Sequence, residues 1–213
     1  MGTVTLAGRH FYVEVDLRRF YSGAYPFPVI MLLDGNVLVG MCGKEWSFGR
    51  LVGAPGDPYG ITQDLLDSAR FLMMARPGEI VGVKRDIVRE YGFHVEEDSP
   101  IYSAASVACS SYIFLERIKN GIIRVHYYNK LLKETDCPKF GGKHKGTVEL
   151  PLVEFVEDVL RISGEYLREY SSLVEEIMVN HGKEPYDHDV LWDWYREVKK
   201  LYEKRFVKKK AED

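Results

Sequence analysis

The stretch of this chain richest in side chains that could do chemistry is Lys133 to Gly146, KETDCPKFGGKHKG, with four lysines, one histidine and three glycines in 14 residues. Glycine lets backbone N–H groups close on an anion, and lysine neutralises phosphate. Lys139, Lys143, His144 and Lys145 are therefore the candidate contacts for an anion or a nucleic acid. Gly142-Lys143 has no Ser or Thr behind it, so the segment is not a P-loop. The competing reading is a lysine-rich connection between two structured parts.

Carboxylates offer a second chemistry. Gly49 to Gly60, GRLVGAPGDPYG, precedes a helical pattern and contains Asp57, and Asp64 follows it. With Glu14 and Asp16 these are the candidate ligands for a hard cation such as Mg²⁺. His10, Glu14 and Asp16 share one face of an alternating segment, and Arg124 and His126 share a face of another. If those two strands were neighbours, imidazole and carboxylates would converge for acid–base or metal chemistry. Cys109, Ser110 and Ser111 are not framed by a nucleophile elbow. No residue is assigned a catalytic role, and no cofactor is expected.

These residues need elements to hold them. Phe11, Val13 and Val15 alternate with Tyr12, Glu14 and Asp16, which predicts a strand within 3–17 and a turn near Ala7-Gly8. Val29 to Leu33, Asp34-Gly35-Asn36 and Val37 to Val39 form a hairpin signal. A helix is expected from about Thr62 to Ala75, stopped by Pro77-Gly78. A second hairpin runs from Val107 through Asn120-Gly121 to Tyr128. After Pro151 the period changes. Leu152, Val156, Val159, Tyr166, Tyr170, Leu173 and Ile177 recur at three- and four-residue steps, predicting one helix of about two dozen residues or more. A last helix carries Leu191, Trp194, Tyr195 and Val198.

The expected architecture is α+β: a mainly antiparallel sheet with one or two packed helices, followed by a C-terminal antiparallel helical hairpin. The expected divisions are a core at 1–132, a linker loop at 133–150, the helical hairpin at 151–207 and a basic tail at 208–213. The strand–strand–helix–strand–strand order from Val29 to Tyr128 resembles the layout of profilin-like and roadblock-type modules over about half the chain. That resemblance is of topology and implies an interaction platform.

Composition narrows the classes. The chain has one glutamine and four asparagines against 29% charged residues, the balance expected of a protein from a hot environment. A formal net charge of −3 confines any polyanion affinity to a local patch. No apolar run is long enough for a membrane span, and the N-terminus has no signal-peptide pattern, so a cytoplasmic protein is expected. Three cysteines without CxxC spacing are neither a disulfide framework nor a zinc site.

Two functions follow as expectations. The first is a non-enzymatic interaction or assembly protein. It would form a homodimer or dock a protein partner through Tyr166, Tyr170, Leu173, Trp192, Trp194 and Tyr195. The alternative is nucleic-acid binding through the lysine loop and basic tail, extended by a metal-dependent nuclease activity if the carboxylates converge.

Overall fold

Alternating apolar side chains fold the start of the chain into a hairpin. β1 (Thr3–Ala7) pairs antiparallel with β2 (Phe11–Asp16) around the turn Gly8 to His10. The computed structural model describes residues 3–16, 29–32, 37–39, 58–81, 101–102, 111–129, 145–180, 182 and 188–207. β2 continues into β3 (Val29–Leu32) and β3 into β4 (Val37–Val39), so the first sheet is an antiparallel meander in the order β1-β2-β3-β4.

The second sheet has the order β6-β5-β7-β8-β9. Its centre is the expected long hairpin of β7 (Ser111–Arg117) and β8 (Ile122–Asn129). Asn120 and Gly121 turn it with φ of 62° and 73°, the left-handed positions that an Asn-Gly pair supplies at least cost. β5 (Ile80–Val81) lies antiparallel to β7 and parallel to β6 (Ile101–Tyr102). The outer strand beside β8 is β9 (Lys145–Pro151). Thus residues 145–150 of the expected linker are sheet. Val148 and Leu150 turn inward while Thr147 and Glu149 are exposed, a period of two that the preceding run of glycines and lysines obscures.

The fold is therefore α+β and mainly antiparallel, with two sheets where one was expected. The hairpins β3–β4 and β7–β8 belong to different sheets. That divides the strands which, in the profilin-like layout, would share one.

Helices fill the space beside the sheets. α1 (Pro58–Met74) starts earlier than its expected cap, with Pro58 at the first position, where proline's fixed φ suits a helix and its missing N–H costs nothing. The expected long C-terminal helix is two: α2 (Leu152–Glu169) and α3 (Ser171–Asn180). Tyr170 leaves helical geometry at φ −120° and ψ −20°. Beside it the Ser171 hydroxyl donates to the Leu167 carbonyl at 2.6 Å, a back-bond that bends helices. α4 (His188–Tyr202) ends in a π-helical turn, Glu203–Val207.

α2 is the central element. It touches β1, β2, β9, α1, α3 and α4. Leu152, Phe155, Val156, Val159, Leu160, Ile162, Tyr166 and Leu167 are buried in one cluster with Leu6 and Phe11 of the first sheet, Leu115, Ile123, Val125 and Leu150 of the second, and Leu66 and Leu72 of α1. Phe11 and Phe155 meet with ring centroids 5.6 Å apart. Each such side chain contributes roughly 1.5–3 kcal/mol of transfer free energy. α4 crosses α2 antiparallel: Tyr195 lies against Gly164, where an added Cβ would come within 3.0 Å of the phenol oxygen, and Tyr202 reaches back to Glu157. No described helix is long and apolar enough to cross a membrane.

Candidate functional site

Three polar constellations stand out among the described residues. The first is the corner where the β1–β2 turn meets the N-terminal half of α2. Asp158 is 2% exposed. Its Oδ1 accepts the Arg9 backbone N–H at 2.7 Å and its Oδ2 that of His10 at 2.8 Å. Gly8 permits this approach, because a Cβ there would lie 2.4 Å from the Asp158 Cγ. Glu154 and Glu157 stand one helical turn before and one residue before Asp158, and they take the side chains of the same turn. Glu154 Oε2 is 2.5 Å from His10 Nε2, and Glu157 Oε2 is 3.1 Å from an Arg9 guanidinium nitrogen. The Tyr202 hydroxyl donates to Glu157 Oε1 at 2.6 Å. Burial and that carboxylate push the Tyr202 phenol up to about 12, against the smaller opposing pull of Arg9. Arg9 and His10 each have a carboxylate partner, and the arrangement staples a hairpin to a helix.

The second constellation crosses β7, β8 and β9. The register sets Glu116, Arg124 and Glu149 in one row and Phe114, His126 and Thr147 in the next. Arg124 reaches Glu149 at 2.7 Å and Glu116 at 3.2 Å. His126, 7% exposed, has Nε2 3.0 Å from Glu116 and Nδ1 3.2 Å from the Thr147 hydroxyl. Burial, its largest influence, drives the imidazole below its usual range, against the opposing effect of Glu116. A hydroxyl, an imidazole and a carboxylate in line have the order of a nucleophilic relay. What that chemistry further needs is an oxyanion donor aimed at the reacting atom. Arg124 is held by the two glutamates, and together these bonds tie β7, β8 and β9 into a cross-strand ladder.

The third constellation is a pole where α1 ends, β7 turns into β8 and the π-helical turn follows α4. Arg117 donates from one guanidinium nitrogen to the carbonyls of Ile118 and Ile122 at 2.8 and 2.9 Å. Its backbone carbonyl accepts the Gly78 N–H at 2.7 Å, tying the end of α1 to the same turn. Arg205 donates to the Met73 carbonyl at the C-terminal end of α1. Arg76, Lys119 and Lys204 are exposed around them. Among the described residues two carboxylates belong to this region. Glu79 is buried and accepts the Arg76 backbone N–H at 2.7 Å, and Glu203 is exposed. Burial first, and the charge of Arg205 second, lower the Arg117 pKa. Two like charges therefore feel each other here, and their described partners are carbonyl oxygens.

The residues singled out from sequence are scattered by this geometry. Lys145 opens β9 opposite Tyr128, while Lys139, Lys143 and His144 lie outside the described residues. From the Tyr128–Lys145 rung to the Ile122–Pro151 rung the ladder runs six residues, or about 20 Å at the strand rise. The lysine loop thus joins the sheet at the end far from the Arg117 pole. Glu14 and Asp16 sit on β2, opposite Thr5 and Thr3 of β1, Asp64 lies in α1, and Asp57 is outside the described residues. Among the described residues no group of three or more His, Cys, Asp or Glu is placed to hold a metal ion. β2 and β8 belong to different sheets, so the conditional meeting of His10 with Arg124 and His126 does not occur. His10 goes to Glu154 instead. Cys42, Cys109, Cys137 and Ser110 are outside the described residues, and Ser111 begins β7.

The six aromatic and aliphatic residues expected at an interface are largely engaged within the chain. Tyr166 is 2% exposed. Tyr170, Leu173, Trp192, Trp194 and Tyr195 are half-buried against the same core, with Trp192 edge-on to Tyr195 at 5.6 Å. Sequence reasoning did not single out Arg9, Glu116, Arg117, Glu149, Glu154, Glu157, Asp158 or Tyr202 as site residues, and it reached Arg205 only as one cation of the basic C-terminal run. One signal was available: Glu154, Glu157 and Asp158 are spaced i, i+3, i+4, which puts three carboxylates on one side of a helix start.

No protein-family model, no curated protein and no solved structure matches the chain.

Proposed function

We propose that the chain is a nucleic-acid-binding protein that grips phosphate at the pole formed by the end of α1, the β7–β8 turn and the π-helical turn after α4. The observation that carries the reading is the contrast in charge pairing. Arg9, His10 and Arg124 each face a carboxylate, whereas Arg117 and Arg205 face carbonyls. Among the described residues five cationic side chains (Arg76, Arg117, Lys119, Lys204 and Arg205) belong to this region against Glu79 and Glu203, and the sequence runs on into Lys208-Lys209-Lys210. A chain of net charge −3 would thus carry a local field of opposite sign. Nucleic acid fits better than a lipid surface, because the apolar face of α4 is turned into the core and not available for insertion.

Docking of a protein partner through the C-terminal helices has less to draw on. The exposed large apolar side chains among the described residues are Met74, Val179, Val190 and Val207, and the two on α3 and α4 flank the link between those helices. The test of the leading reading is anisotropy of a short labelled single-stranded oligonucleotide with the full chain over a salt series. Binding at low salt should weaken with a log–log slope of roughly −0.7 per phosphate contact, about −2 to −4 here. Absence of binding at low ionic strength, or a stronger response to phosphatidylserine vesicles than to the oligonucleotide, counts against it.

A further inference from the structure

We infer that Arg117 and Arg205 form a discrete phosphate subsite, a pair of guanidinium forks that clamp one phosphate group, distinct from the diffuse attraction of the surrounding lysines. This inference rests on the phosphate-binding reading above and specifies where a phosphate would sit.

The argument begins with donors. A guanidinium has five N–H groups in a rigid plane. Two of Arg117's are spent on the carbonyls of Ile118 and Ile122, which leaves three. One of Arg205's is spent on the Met73 carbonyl, which leaves four. Among the described residues those remaining donors meet no acceptor. A phosphate oxygen is the acceptor for which the planar fork is shaped, because two parallel N–H groups match two of its oxygens.

Positioning comes next. The bonds to carbonyls hold both guanidiniums without neutralising them. Arg117 is fixed by the turn that Asn120 and Gly121 create and is half-buried. Arg205 is fixed to the end of α1, while Tyr202, three residues earlier, donates to Glu157 of α2. The carboxylate of the stapled corner is thereby kept with Arg9 and Tyr202. Because both forks are already anchored, less side-chain entropy is lost when an anion arrives than for free lysines. The lowered pKa of Arg117 agrees with this geometry: burial first and the charge of Arg205 second disfavour its cation, and an anion would offset both.

The same donors would accept a phosphodiester in a strand or a free phosphate, so the test uses both probes on the intact chain. Inorganic phosphate should raise the melting temperature of the wild type, and Arg205→Ala should lose most of that rise. A Lys208→Gln/Lys209→Gln/Lys210→Gln variant should keep it. Oligonucleotide affinity should fall about tenfold in Arg205→Ala at ~50 mM salt, and the salt slope should become shallower by about one contact. Arg117→Lys, which keeps the charge but loses the fork, should weaken binding several-fold. If Arg205→Ala and Arg117→Lys bind the oligonucleotide as the wild type does and gain the same phosphate protection, the subsite is overturned while polyanion binding stands. If phosphate protects through Arg205 but no oligonucleotide binds, the subsite stands for a free phosphate and the nucleic-acid reading falls.

Discussion

Two neighbouring regions of this molecule use the same kinds of side chain in opposite ways. At the corner of the β1–β2 turn and α2, Arg9 faces Glu157, His10 faces Glu154, and the buried Asp158 receives two backbone N–H groups. At the pole after α4, the described partners of Arg117 and Arg205 are carbonyls and not carboxylates. In the corner, electrostatics are consumed by folding. At the pole they are positioned by folding and left for something else. The lesson is that the partner of a charged side chain tells more about its role than its type does.

The largest effects should come from breaking the corner. Asp158→Ala leaves two backbone N–H groups facing a buried void and should cost about 3 kcal/mol, read as a lower urea midpoint with unchanged slope. Gly8→Ala forces a methyl into the Asp158 carboxylate and should cost roughly 1–3 kcal/mol, as overpacking does. Neither substitution should change oligonucleotide affinity measured under folding conditions.

The pole should respond in the reverse sense. Arg205→Gln is expected to leave stability within about 0.5 kcal/mol, since it alters an exposed position, yet to lower oligonucleotide affinity about tenfold. A stability loss comparable to that of Asp158→Ala would show that Arg205 is another staple.

Two smaller effects sharpen the contrast through pH. The His126 pKa is lowered in the folded state, so the unfolded chain takes up the proton first as pH falls. Its contribution to stability should be present above pH 6.5, the unfolded value, and be lost as pH drops below it. His126→Gln should flatten that part of the melting-temperature profile between about pH 7 and 5. Tyr202 is raised from 10.0 to about 12, so its neutral form is favoured by folding. The associated stability should be complete below pH 10 and decline as pH rises from 10 toward 12. Tyr202→Phe should remove a late tyrosinate transition from the ultraviolet titration and cost about 1 kcal/mol near neutrality.

How much of this was legible in the sequence depends on how local each feature is. Strand alternation and Asn120-Gly121 announced the β7–β8 hairpin, and the three-and-four spacing after Leu152 announced an amphipathic helix. These are properties of adjacent residues. The break at Tyr170 hid inside the same periodicity, because Ser171 acts through a hydroxyl whose target, the Leu167 carbonyl, no pattern reveals. The division into two sheets was invisible, since β3–β4 and β7–β8 read alike as hairpins. The site residues were least legible. Asp158 and Arg9 are 149 positions apart, Arg205 and Met73 are 132 apart, and only the folded chain brings them together. The conspicuous lysine loop drew attention by composition, while Arg117 lies in an ordinary strand and Arg205 is one cation among several near the C-terminal end.

The most direct test of the central claim is to measure urea stability and oligonucleotide affinity side by side for Asp158→Asn and Arg205→Gln in the full-length chain. The account predicts a double dissociation: Asp158→Asn loses stability and keeps affinity, and Arg205→Gln loses affinity and keeps stability. Equal loss of stability in both, with affinity unchanged or absent throughout, would contradict it.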